Sequence, residues 1–150
     1  MVHVSVSGEP ARLNVQLAGA TDDAKLTFDG RSTDNVSPLA ALDTSLFVVV
    51  TVNVDAGNAS VVISRVRVRA TNLGLAGINL SNDSPGSIFF DLSRNEVDFD
   101  WSTSDGALRP ALQVLKRGAG SANGRISENR VVARGTQSIG ILLQTEDKTN

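Results

Sequence analysis

The chain has 150 residues, a formal net charge of −2, no cysteine and a single histidine, His3. This length suits one domain with a sizeable core, and the slight acidic balance excludes a general electrostatic attraction to nucleic acid or anionic membranes. The lack of cysteine and the single histidine also exclude disulfide frameworks, Cys-ligated zinc and multi-histidine metal sites.

From the N-terminus onward, apolar and polar residues alternate. The pattern begins in Val2–Val6 and recurs in Leu13–Leu17, Leu26–Phe28 and Val66–Val68. A period of two is typical of β-strands, and the only helix-like stretch, "SPLAALDTS", covers one turn at most. The start "MVHVSVSGEP" lacks the pattern of a signal peptide, and "LFVVV" is too short to cross a bilayer. The sequence predicts an all-β chain without a membrane partner and leaves its compartment open.

An internal repeat extends from Ile63 to Glu146. Three segments align without gaps: "ISRVRVRA" from Ile63, "LSRNEVDF" from Leu92 and "ISENRVVA" from Ile126. A second set also aligns: "GINLSND", "ALQVLKR" and "GILLQTE", beginning at Gly77, Ala111 and Gly140. Both sets agree on one five-residue insertion within "WSTSDGALRP". Short units of this kind must stack on one another to bury their apolar faces, so equivalent residues should lie on neighbouring parallel strands.

The segment "ISENRVVARGTQSIGILLQ" resembles a coil of the right-handed parallel β-helix, the fold of the pectate-lyase-like superfamily. The resemblance covers about Phe47 to Glu146 and implies three strands per coil. It also implies an inward asparagine at the tight turn after the second strand. Asn95 and Asn129 occupy that position, and Val66 departs from it. An extracellular or particle-surface location is a further implication of the fold.

The fold expected is therefore a solenoid with three clear coils, in one domain spanning residues 1–150. Regular coils are expected over residues 47–147. Residues 1–46 are expected to form an N-terminal cap or irregular coil, with "KLTFDGRSTDN" as a candidate further coil. The chain reaches "TEDKTN" directly after a strand without an obvious cap, which suggests a fragment, a partner-capped end or an oligomer contact.

Stacking in register brings charged residues of alternating sign into columns. We expect three of them: Arg67, Glu96 and Arg130; Arg69 and Asp98 with Val132; Asp83, Arg117 and Glu146. Opposite charges on neighbouring strands stabilise by roughly 0.2–1 kcal/mol per pair, so a structural role is favoured over polyanion binding. Arg65 over Arg94 is the one like-signed pair expected, followed by Glu128.

Two groups of residues are candidates for chemistry. Glu96, Asp98 and Asp100 share one strand face and have a spacing that suits Ca²⁺ or paired carboxylates, although pairing with arginines is the favoured interpretation. The inserted loop adds Trp101, interpreted as core or as a platform for a sugar, and Asp105. The resemblance also implies a groove beside the first strand of each coil, where Asn79, Gln113 and Leu142 point outward. Among these no residue matches the family's catalytic signatures.

The function predicted from sequence is a non-catalytic structural or glycan-binding module, part of a larger or self-associating assembly. Its glycan-binding residues would be Trp101, Asp105, Asn79 and Gln113, with no cofactor and Ca²⁺ left open. Its partners would be carbohydrate and either further copies or domains covering the C-terminal end. The alternative is a polysaccharide lyase or glycoside hydrolase with Asp98, Asp100, Asp105 and Arg109 as catalytic residues.

Overall fold

A computed structural model describes residues 2–6, 12–31, 48–54, 57–71, 76–100, 109–135 and 138–146. These residues form thirteen β-strands and, within these ranges, no helix. The strands are β1 (Val2–Val6), β2 (Arg12–Ala18), β3 (Leu26–Arg31), β4 (Val48–Val54), β5 (Asn58–Ser64), β6 (Val66–Thr71), β7 (Ala76–Asn82), β8 (Ile88–Ser93), β9 (Glu96–Asp100), β10 (Arg109–Arg117), β11 (Ala122–Ser127), β12 (Arg130–Arg134) and β13 (Ser138–Glu146). The predicted all-β class is confirmed.

The strands form three parallel sheets. Sheet A has the order β1-β4-β7-β10-β13, sheet B has β2-β5-β8-β11, and sheet C has β3-β6-β9-β12. Each group of three successive strands, here called a unit, therefore contributes one strand to each sheet, and β13 begins a fifth unit. The N-terminal strands follow the same rule, because β1, β2 and β3 pair in parallel with β4, β5 and β6.

The strand register confirms the repeat found in the sequence. Leu92 lies opposite Ile63 on one side and Ile126 on the other. Leu112 likewise lies between Ile78 and Ile141. Pairing resumes in the same register after the insertion. Asp100 and Arg109 are nine positions apart in the sequence, whereas the residues that pair with them, Arg134 and Ser138, are four positions apart. The five extra residues therefore lie between Asp100 and Arg109.

One apolar cluster contains inward residues from all three sheets. Its centre is fully buried and includes Ile63 of sheet B, Val68 and Phe99 of sheet C, and Ile78 and Leu112 of sheet A. Towards either end of the stack the inward side chains are only partly buried: Val15, Leu17 and Phe28 in the first unit, and Ile126, Val131 and Ala133 in the last complete one. Complete burial thus requires a neighbouring strand on both sides.

Two asparagines, Asn95 fully buried and Asn129 half-buried, hold the corner between sheets B and C. Asn95 is 1% exposed; its Oδ1 accepts from the backbone N–H of Val66 at 3.1 Å, and its Nδ2 donates to the carbonyl of Ile63 at 2.8 Å. Asn129 repeats this one unit further, accepting from the N–H of Asn95 at 2.9 Å and donating to the carbonyl of Leu92 at 2.7 Å. Side-chain amides thus satisfy backbone groups where the strands turn.

The residues that precede Val66, Asn95 and Asn129 at this corner have a left-handed backbone. Arg65, Arg94 and Glu128 have φ of 54°, 57° and 55°. A non-glycine residue in this region costs roughly 1–2 kcal/mol, so the corner conformation is sustained by the surrounding hydrogen bonds.

A buried lysine stabilises the opposite corner, where sheet A leads into sheet B. Lys116 is 1% exposed and lies opposite Asn82 in the register. Its Nζ donates to the carbonyls of Ser84 and Arg117, both at 2.6 Å, and to that of Gly118 at 3.2 Å. A buried ammonium is tolerated only when its donors are satisfied, which these carbonyls achieve.

Candidate functional site

The acidic strand β9 is the first candidate, and its central carboxylate is surrounded by cations. Glu96 Oε2 accepts from Arg67 Nε at 3.0 Å, while Arg130 Nη1 lies 3.5 Å from Oε1 and Lys25 Nζ lies 3.6 Å from Oε2. Burial alone would raise the pKa of Glu96, but the hydrogen bond and charge of Arg67, together with Lys25, outweigh it and lower the pKa. This confirms the predicted column of Arg67, Glu96 and Arg130, whose cations favour the ionised form of the carboxylate.

The next carboxylate of β9 is paired as well, but with a partner that the sequence did not predict. Asp98 lies opposite Arg69 and Val132 in the register, as expected. Its ion pair, however, is with Arg134, which lies diagonally across on β12. Arg69 itself is exposed. A long arginine side chain reaches a diagonal neighbour on an adjacent strand as readily as the residue directly opposite.

Three members of the predicted catalytic set lie on strands that the structure describes. Asp100 lies two positions after Asp98 on β9 and is half-buried. Arg109 begins β10, on the far side of the insertion, and is 6% exposed. Asp105 and Trp101 lie outside the described residues. Of the four predicted catalytic residues, the structure therefore places Asp98, Asp100 and Arg109, and only the first two share a strand face.

In the third predicted column and in the like-signed pair, each arginine is bound by an acidic side chain. Arg117 donates to Glu146 at 2.8 Å and lies 3.4 Å from Asp83, and the hydrogen bond to Glu146 is the main reason that the pKa of Arg117 is raised. Arg65 Nε donates to Asp22 at 3.2 Å, and Arg94 Nε donates to Glu128 at 2.9 Å. Asp22 comes from the turn between β2 and β3, a region whose register the sequence left uncertain.

The amide candidates lie side by side on sheet A. Asn79 of β7 and Gln113 of β10 are register neighbours, and Leu142 follows on β13. Asn79 and Gln113 are half-buried on the face away from the core. Their placement agrees with the prediction that this strand presents amides outward.

Sheet B carries a surface feature that the sequence interpretation missed. Phe89 of β8 is 54% exposed and borders an open groove of about 320 Å³ that also includes Ser60, Asp91 and Asn123. Asp91 accepts from Arg125 at 2.6 Å; this hydrogen bond outweighs the effect of burial and lowers the pKa of Asp91. The strand alternation contained the signal, because placing Leu92 inward puts Phe90 inward and Phe89 outward.

The part of the chain that the structure describes contains no group of three acidic or histidine side chains able to hold a metal ion, and no helix long and apolar enough to cross a membrane. Ca²⁺ binding stays a prediction. Comparison with protein-family models, with curated proteins and with solved structures found no match to this chain.

Proposed function

We propose that this chain is a non-catalytic structural module, folded as a right-handed parallel β-helix, that associates with a second copy through the end formed by β13. The exposure of core positions at that end carries the proposal. Ile141 and Leu143 are 43% and 60% exposed, although their register neighbours Leu112 and Val114 are 0% and 2% exposed. Removing apolar surface from water is favourable by roughly 25 cal/mol per Å², so covering this edge stabilises an assembly.

The backbone of β13 supports the same conclusion. Sheet A has five strands and sheets B and C have four, so β13 lies one strand beyond its neighbours, and no described strand pairs with its outer edge. Residues 138–145, "SIGILLQT", contain neither a charge nor a proline. Charges and prolines are the usual features that keep sheet edges from pairing with other chains, and β13 has no proline and a single charge, Glu146 at its last position.

The β13 sequence is also self-complementary in an antiparallel pair. Centring a two-fold axis on Leu142 places Ile141 of one copy opposite Leu143 of the other, and Ser138 opposite Glu146. All nine strand residues then have a partner, the exposed apolar side chains share one face, and like charges do not meet. Two-fold dimers are the commonest symmetric assemblies.

The β-helix itself is supported by the order of the strands. Successive strands enter sheets A, B and C in the same sequence in every complete unit, and residues of all three sheets share one apolar cluster. Crossovers between parallel strands of one sheet are right-handed in about 98% of cases, which favours the right-handed form. The stacked Asn95 and Asn129 support the resemblance to the pectate-lyase-like superfamily.

The non-catalytic part of the proposal rests on the paired carboxylates of β9. Glu96 and Asp98 are bound by arginines, whereas a lyase or hydrolase would need unengaged carboxylates converging across a cleft. Assays for new reducing ends and for unsaturated products on polysaccharides should therefore show no turnover. Turnover that Asp100→Asn abolishes would instead support the alternative, with Asp98, Asp100, Asp105 and Arg109 as catalytic residues.

A glycan-binding form of the same module would use the adjacent amides of Asn79 and Gln113, with Trp101 and Asp105 of the inserted loop. Stacked amides can donate to and accept from sugar hydroxyls, and they can also simply stabilise the strand stack.

Self-association is tested by light scattering coupled to size-exclusion chromatography across micromolar concentrations. The wild type should shift from monomer to dimer, and Leu143→Lys should remain monomeric because it places two lysines at the symmetric apolar contact. Leu26→Lys, at the opposite end where Leu26 is 38% exposed, is the matched control and should dimerise like the wild type. A wild type that stays monomeric, or a dimer lost only in Leu26→Lys, would contradict the proposal.

A further inference from the structure

Among the described residues, four large apolar side chains are exposed: Leu26, Phe89, Ile141 and Leu143. Three of them lie at the ends of the stack, where a neighbouring strand is missing on one side. Phe89 is different, because β8 is paired with β5 on one side and β11 on the other. The exposure of its ring is therefore not explained by an open end.

The residues around Phe89 form an open groove across three strands. Ser60, Phe89 and Asn123 lie in one outward column, and Val62, Asp91 and Arg125 lie in the next. The groove between these columns has a volume of about 320 Å³, near the lower limit for small-ligand sites. One exposed aromatic ring is thus flanked by a hydroxyl, an amide and a carboxylate.

Two polar groups of this groove, those of Asp91 and Asn123, are held in place. Asp91 is bound by Arg125 at 2.6 Å, and Asn123 Nδ2 donates to Ser121 Oγ at 2.8 Å. Ser121 Oγ in turn donates to Ser87 Oγ at 3.0 Å. Side chains fixed by such contacts lose less conformational entropy when they bind a ligand.

We propose that the groove beside Phe89 binds one sugar unit of a neutral oligosaccharide. A pyranose offers an apolar C–H face for the phenyl ring and a rim of hydroxyls for Ser60, Asn123 and Asp91. The charges of Asp91 and Arg125 offset each other, so the groove favours an uncharged sugar over a uronate. This inference rests on the glycan-binding form of the proposed function and places that binding on sheet B instead of sheet A.

The test is isothermal titration with neutral hexasaccharides of glucose, xylose and mannose, with oligogalacturonate as the charged comparison. At least one neutral oligosaccharide should bind, and Phe89→Ala should weaken it about tenfold, the effect expected for losing about 1.4 kcal/mol of ring contact. Phe89→Tyr keeps the ring and should bind like the wild type. Leu26→Ala is the control for removing an exposed apolar side chain elsewhere.

Three results would overturn the inference: no binding of any neutral oligosaccharide, unchanged affinity in Phe89→Ala, or a preference for oligogalacturonate. A further variant, Gln113→Ala, separates this inference from the function on which it rests. Binding that is lost in Gln113→Ala and retained in Phe89→Ala would place the glycan on sheet A, leaving the glycan-binding function intact. Because Phe89 is exposed, the melting temperature of Phe89→Ala should match the wild type, which shows that a loss of binding is local.

Discussion

Replacing Asn95 by alanine should destabilise the chain by about 2 kcal/mol, because it leaves the buried N–H of Val66 without its acceptor and removes a second hydrogen bond to a backbone carbonyl. The N–H of Val66 would lose its acceptor, and the carbonyl of Ile63 would lose the hydrogen bond that Asn95 Nδ2 donates. Each unsatisfied buried group costs roughly 1–3 kcal/mol. Asn95 is 1% exposed, so water is not positioned to replace either hydrogen bond.

The measurement is urea unfolding followed by circular dichroism. With a slope of roughly 1–3 kcal/mol per molar urea, a loss of 2 kcal/mol lowers the midpoint by about 1 M. Asn129→Ala is the matched control: it removes equivalent hydrogen bonds one unit further along the stack, but its site is only partly buried, so the loss should be smaller. Asn95→Asp keeps the size and the acceptor but removes the donor and buries a charge, so it should be at least as harmful as alanine at neutral pH.

Two outcomes would refute this reasoning. If Asn95→Ala lowers stability no more than Asn129→Ala, burial does not set the strength of these hydrogen bonds. If Asn95→Asp is as stable as the wild type, shape alone explains the asparagine and the donor to Ile63 contributes nothing. The first result would remove burial as the reason for the larger effect of Asn95, and the second would remove its donor to Ile63 as a stabilising contact at the corner between sheets B and C.

Two further predictions concern Glu96 and a pair of glycines. Glu96→Gln should lower stability by about 1–2 kcal/mol at pH 7, since it leaves three cations without their shared anion. The folded-state pKa of Glu96 is lowered. The difference in stability between Glu96→Gln and the wild type should therefore be constant above the unfolded pKa of about 4.5, shrink as the pH falls and vanish below the folded pKa. A stability difference that stays unchanged in acid would contradict ion pairing by Glu96 as its cause. Gly124→Ala should cost roughly 1–3 kcal/mol, because its Cβ would lie 2.5 Å from the Phe90 ring and 2.3 Å from the Phe90 carbonyl oxygen. At Gly140 nothing lies within 4 Å of such a Cβ, so Gly140→Ala should be nearly neutral in thermal unfolding, and equal effects at the two sites would show that this crowding is not the cause.

The all-β class and the strand register followed from the sequence because both depend on short-range patterns. Alternation with a period of two assigns each residue to a face, and a repeated motif assigns each residue its neighbour on the next strand. That is why Glu96 could be placed between Arg67 and Arg130, and Arg117 beside Glu146, without coordinates. The placement of the five-residue insertion followed from the same repeat.

Only the tertiary structure decided which of several reachable groups meet. Asp98 pairs with Arg134 instead of Arg69, because side-chain reach and direction choose between neighbours that register treats alike. Asp22 joins Arg65 from a distant turn, and the inward Lys116 finds its three carbonyl acceptors at and just beyond the ends of β7 and β10. Alternation likewise places Phe89 on the outer face but does not say whether another segment covers it. A linear pattern determines the face and the neighbour of a residue; exposure and ion pairing depend on everything that packs around it.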